Sequence, residues 1–141
     1  MTLSTTDPMF ATRPRPLRES RGSDVPIPDS SLRFGPQSLL IRPEGPGIDG
    51  SRASLIVASV RHEFSSRRKP FKRLLIDLES IQVPSSMAIG MLLELSRVAS
   101  SVDATCHLAV QPRFREVLGM LKLDGRYTME RNASRLEELL R

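Results

Sequence analysis

The run Leu74-Leu75-Ile76-Asp77-Leu78-Glu79-Ser80-Ile81-Gln82-Val83-Pro84-Ser85-Ser86-Met87-Ala88-Ile89-Gly90-Met91-Leu92-Leu93 decides how this chain folds. From Arg73 to Leu78 it is apolar without alternation until its end, which is the pattern of a strand covered on both faces or lying centrally in a sheet. The pair Ser85-Ser86 then precedes Met87 to Ala99, a long, broadly apolar stretch rich in helix formers. That stretch predicts a substantially buried helix whose first turn carries hydroxyls able to cap it.

Upstream, Ser38 to Pro43 reads as a strand that Pro43 and the Gly45-Pro46-Gly47 cluster terminate. From Ser51 to Ser65 the positions Leu55, Ile56, Ala58, Val60 and Phe64 form an imperfect helical stripe, with Asp49 or Ser51 as its cap, and Ser65 to Pro70 ends it. Downstream, Ala104 to Val110 is another strand. Gln111-Pro112 opens a helix with Phe114, Val117, Leu118 and Leu121 on one face, and Tyr127-Thr128-Met129 is a brief strand. A last helix starts at about Asn132 and carries Ala133, Leu136, Leu139 and Leu140. Strands alternating with helices give an α/β class with a mostly parallel sheet and right-handed crossovers.

The 141 residues suit one domain. Six prolines (Pro8, Pro14, Pro16, Pro26, Pro28, Pro36) fall among Ser, Thr, Arg and Asp near the N-terminus, with too little apolar surface to offset the entropy of ordering. Residues 1–32 are therefore expected to be a disordered tail and 33–141 the domain, with Leu32-Arg33-Phe34 a short edge strand. Aromatic residues make up only 4%, so the core must be aliphatic and base-stacking platforms are not expected. The net charge is +5, yet the densest basic cluster, Arg67-Arg68-Lys69 with Lys72 and Arg73, is short and reads as a solvated turn. No nucleic-acid partner is expected from it.

The single cysteine, Cys106, excludes an internal disulfide and a multi-cysteine metal site, and it reads as a small core residue. No apolar stretch is long enough to span a bilayer, so no membrane insertion and a cytoplasmic location are expected. Cys106 and His107 are strand neighbours that point to opposite faces, and His62 is remote, so neither catalysis nor a metal site is expected from them. The loop around Gly45, Gly47 and Gly50 lacks the Lys and Ser or Thr of a phosphate-binding loop, so no cofactor is expected. Asp77 reads as a structural group accepting loop amides.

The segment from Leu74 to Leu93 resembles the signature of the STAS domain, the family of bacterial anti-sigma factor antagonists. In that family an apolar strand ends in Asp-Leu, and a few residues later Asp-Ser-Ser-Gly-Leu-Gly-x-Leu-Leu opens a helix. Asp77-Leu78 falls on the family's Asp-Leu, and Ser86 then falls on its phosphorylated serine without a gap. Ile89, Gly90, Leu92 and Leu93 fall on the Leu, the Gly and the two leucines. The similarity continues from Val102 to Leu121, so that it spans roughly residues 36–141. The chain departs from the pattern at Ser85, where the family usually has Asp, and at Met87-Ala88, where it has Ser-Gly.

The resemblance implies a single STAS-like domain, with a small mixed sheet and helices mainly on one side. It also implies a regulatory, non-enzymatic role. The unphosphorylated domain would capture an anti-sigma factor serine kinase, phosphorylation would reverse the capture, and a PP2C-type phosphatase would reset it. The acceptor is Ser86, with Ser85 as the other candidate, and the partner-binding residues are Ser85, Ser86, Met87, Ile89 and Gly90. On the residues alone, Ser85 and Ser86 could equally be plain caps, and Met87, Ile89, Met91 and Leu92 could divide between core and contact surface. Two other roles remain open. One is a constitutive STAS interaction module in a stress-signalling scaffold or lipid-transporter complex, which Ser85 in place of Asp and a bulky Met87 after the serine favour. The other is a small enzyme or nucleotide-binding protein.

Overall fold

Five short strands and four helices follow one another along the chain, and the computed structural model describes them over residues 31–141. The tail expected over residues 1–32 lies outside the described residues up to position 30. The elements are β1 (Ser31–Phe34), β2 (Ser38–Arg42), α1 (Gly50–Ser66), β3 (Arg73–Asp77), α2 (Ser86–Ser100), β4 (Thr105–Ala109), α3 (Pro112–Met120), a single 3-10 turn (Asp124–Arg126), β5 (Thr128–Met129) and α4 (Ala133–Leu140). The strands form one mixed sheet in the order β1-β2-β3-β4-β5. β1 runs antiparallel to β2, and the remaining pairs are parallel. The edge strand expected at Leu32-Arg33-Phe34 is β1.

Strand alternation sorts the core into two layers. Leu39, Ile41, Leu74, Ile76, Cys106 and Leu108 point to the side where Ile56, Val60, Leu92, Leu95, Phe114 and Leu118 of α1, α2 and α3 pack. Leu40, Leu75 and Ala109 point to the other side, where Leu136 and Leu140 of α4 cover them. The unbroken apolar run of β3 follows from this, because a central strand under helices on both faces has no solvent side. Each fully buried Leu or Ile contributes roughly 1.5–3 kcal/mol relative to exposure.

Side chains set the ends of the helices. Asp49 caps α1 by accepting the Arg52 amide at 2.8 Å, and Asn132 caps α4 by accepting the Arg135 amide at 3.0 Å. Past the end of α1, the Arg67 guanidinium lies 4.0 Å from the centre of the Phe71 ring, which in turn packs on Phe64. The basic turn thus carries one cation held on an aromatic face.

The stripe expected on α3 holds only in part. Phe114 and Leu118 are buried, but Leu121 is 51% exposed. The helix ends at Met120, and the chain leaves through Lys122 at φ 60°, so the helical period no longer applies at Leu121.

Candidate functional site

The parallel strands β2 and β3 end side by side, at Arg42 and Asp77, and the loops leaving them are stitched together. Ser80 Oγ donates to the Pro43 carbonyl at 2.9 Å, and the Gln82 amide donates to the Pro46 carbonyl at 2.8 Å. Between these bonds Ile81 is fully buried. The approach is close enough to require glycine at position 45, since a Cβ there would lie 1.8 Å from the Ser80 carbonyl oxygen. A hydrogen-bonded two-loop ledge therefore delivers the chain to Ser85.

The two serines divide their roles at the start of α2. Ser85 is the N-cap, in an extended backbone conformation, and its Oγ accepts the Ala88 amide at 3.2 Å. Ser86 is the first helical residue and is exposed. Among the described residues none hydrogen-bonds the Ser86 hydroxyl. That hydroxyl stands at the positive end of the helix dipole, beside first-turn amides that have no intrahelical acceptor.

The surrounding surface is apolar. Met87 is 52% exposed and Val83 is 53% exposed. Met87 Cε lies 3.4 Å from where a Gly50 Cβ would stand, so the starts of α1 and α2 are neighbours on one surface. Ile89 and Gly90 are half-buried, and nothing lies within 4 Å of a Cβ built on Gly90. Met91 and Leu92, one turn further, are buried. Of the five expected partner-binding residues, Ser86 and Met87 are exposed and Ser85, Ile89 and Gly90 are half-buried, with the fully buried Ala88 between them.

Asp77 sits beneath this ledge. Its Oδ1 accepts the Glu79 amide at 3.0 Å, and its Oδ2 accepts Arg42 Nε at 2.6 Å. It accepts the loop amide expected of it, together with a cation that sequence order did not reveal. Arg42 Nη2 also donates to Glu137 Oε2 of α4 at 2.6 Å, and Arg33 Nη1 reaches the same carboxylate. The hydrogen bond to Arg42 is the main cause holding the Glu137 carboxyl below its ordinary pKa, and the bonds to Glu137 and Asp77 raise that of Arg42.

On the same sheet face His107 Nδ1 lies 2.8 Å from Glu130 Oε2, and His107 Nε2 lies 2.9 Å from Thr105 Oγ1. Spacing along the chain does not reveal this carboxylate, because β4 and β5 meet in parallel across a helix. Cys106 points the other way into the core, where burial pushes its thiol up to about 12. Among the described residues no group of three or more His, Cys, Asp or Glu could hold a metal ion, and no helix is long and apolar enough to cross a membrane.

No family model and no curated protein matches the sequence. Solved structures do. The anti-sigma factor antagonist SpoIIAA in its unphosphorylated form superimposes with a TM-score of 0.64 at 16% identity, over 78% of this chain and 95% of that one. RsbS of Moorella thermoacetica gives 0.64 at 18% identity, over 78% and 96%. An anti-sigma-factor antagonist (STAS) domain protein from Planctomyces limnophilus gives 0.58 at 19% identity, over 72% and 88%. The domain therefore has the fold of the STAS-domain anti-sigma factor antagonists.

Proposed function

We propose that this protein is an anti-sigma factor antagonist working in the cytoplasm, a binding protein with no catalysis of its own. In the unphosphorylated state, the surface around Ser86, Met87 and Val83 docks an anti-sigma factor of the serine-kinase type and so frees the sigma factor. The single observation that carries this reading is the division of roles at the start of α2. Because Ser85 caps the helix, the Ser86 hydroxyl stays exposed and available.

Phosphorylation is chemically reasonable at that position. The Ser86 Oγ attacks the γ-phosphorus of ATP held by the kinase, the bond to ADP breaks, and the hydroxyl proton passes to a base on the kinase. The product would carry about −1.5 to −2 charges, which the helix dipole and the free first-turn amides accommodate without unfolding α2. The same charge lies beside exposed Met87 and Val83, so a partner seated on that apolar surface would have to desolvate it. A loss of a few kcal/mol there is enough to turn capture into release. A PP2C-type phosphatase would restore the neutral serine by hydrolysis.

A second reading has one observation in its favour. Met87 follows the acceptor and leans toward Gly50, which makes the surface more apolar and suits a constitutive interaction module of a signalling scaffold or a transporter complex. Affinity capture of the tagged protein from its own cells separates the two readings. A histidine-kinase-like ATPase among the partners, with phosphate on the Ser86 peptide, supports the switch. A large assembly or a transporter without phosphate at Ser85 or Ser86 supports the module.

A further inference from the structure

The helix on the far face of the sheet is wired to the ledge that carries the serines. Glu137 of α4 accepts Arg42 Nη2 at 2.6 Å, Arg42 Nε donates to Asp77 Oδ2 at 2.6 Å, and Asp77 Oδ1 accepts the Glu79 amide at 3.0 Å. Glu79 also returns to α4 directly, since its Oε1 accepts the first amide of that helix, Ala133 N, at 3.3 Å. Two independent connections therefore join α4 to the first residues of the loop between β3 and α2. Asp77, the link between them, is nearly sealed, with only 5% of its side chain exposed. A sealed carboxylate that loses its cation must find another or rearrange its loop, so the chain transmits displacement.

We infer that α4 is a control element for the α2 N-terminus. Seated on the sheet, it fixes the β3–α2 loop through Glu137, Arg42, Asp77 and Glu79 and so sets how Ser85 and Ser86 are presented. Anything that lifts α4 loosens that loop. Arg42 is in this scheme a positioning residue, remote from the partner surface and acting on it through Asp77. The regulatory meaning rests on the reading of the Ser86 surface as the regulated site, whereas the coupling itself is a property of the free domain.

The test is amide hydrogen exchange on the full chain, unphosphorylated and without partner, for wild type, Glu137→Gln and Arg135→Gln. Arg135 pairs with Glu138 and Glu130 on the outer side of α4, so its variant perturbs the helix without touching the chain to Asp77. Glu137→Gln should speed exchange at the Gln82 and Ser85 amides, which donate to the Pro46 and Val83 carbonyls at 2.8 Å, by roughly five- to tenfold, the range expected for losing one hydrogen bond. It should leave the buried half of α1 at the wild-type rate, and Arg135→Gln should leave the Gln82 and Ser85 amides within about twofold. Unchanged exchange at the Gln82 and Ser85 amides in Glu137→Gln overturns the inference. Equal acceleration in α1 also overturns it, because the substitution would then only lower global stability. Neither result touches the switch at Ser86, which is read by partner binding.

Discussion

Ser85 Oγ accepts the Ala88 amide at 3.2 Å, so the helix start is satisfied before Ser86 is reached. Two adjacent serines of the same chemistry thereby acquire different roles. Ser85→Ala should lower stability by about 0.5–2 kcal/mol, the usual loss for an N-cap hydroxyl, whereas Ser86→Ala should stay within about 0.5 kcal/mol of wild type. Urea unfolding of both variants measures this. Equal stability losses would remove the division of roles.

The Glu137 carboxyl gives the domain an acid-sensitive link. Its folded pKa lies below the unfolded value, so between the two the unfolded chain binds the extra proton. The stabilisation is complete above the ordinary carboxylate range and is lost as pH falls through the lowered folded value. Urea midpoints followed downward from neutral pH should therefore fall less steeply for Glu137→Gln than for wild type. Parallel pH profiles would contradict the assignment.

Two glycines are required by close approach rather than by backbone angle. A Cβ on Gly35 would lie 1.9 Å from the Leu140 carbonyl oxygen, and one on Gly45 would lie 1.8 Å from that of Ser80. Gly35→Ala and Gly45→Ala should each cost about 2 kcal/mol or more, since backbone must move. Gly47 has nothing within 4 Å of its built Cβ, so Gly47→Ala should be nearly neutral. Thermal melts of the three variants should separate the first two from the third.

Much of this architecture could be read in the sequence. The apolar run of β3, the cap at Asp49, the helix from Ser86 and the cap at Asn132 are local patterns, fixed by period and by hydroxyl or carboxylate chemistry at helix starts. What could not be read is set by distance along the chain. Leu136 and Leu140 mark an amphipathic helix but do not say which sheet face it covers. The Arg42–Glu137 and Arg33–Glu137 pairs join residues 95 and 104 positions apart. His107 meets Glu130 only because β5 returns beside β4. At the site, spacing placed Ser86 at a helix start, but which serine caps depends on a backbone conformation that the residue types leave undetermined.

Cys106 should be silent toward thiol reagents while the domain is folded. It is buried among core side chains, and its thiol is pushed up to about 12, so little thiolate forms near neutral pH. Modification should follow the urea unfolding transition. Rapid labelling of the native protein would show that the core around β4 opens.

In the proposed switch, the charge on Ser86 decides partner capture. The direct measurement is the affinity of the captured kinase for wild type, Ser86→Ala and Ser86→Asp, with the fold of each checked by circular dichroism. Ser86→Ala should bind with wild-type affinity, and Ser86→Asp should lose at least about tenfold, some 1.4 kcal/mol. Equal binding by both variants with the fold intact would contradict the switch.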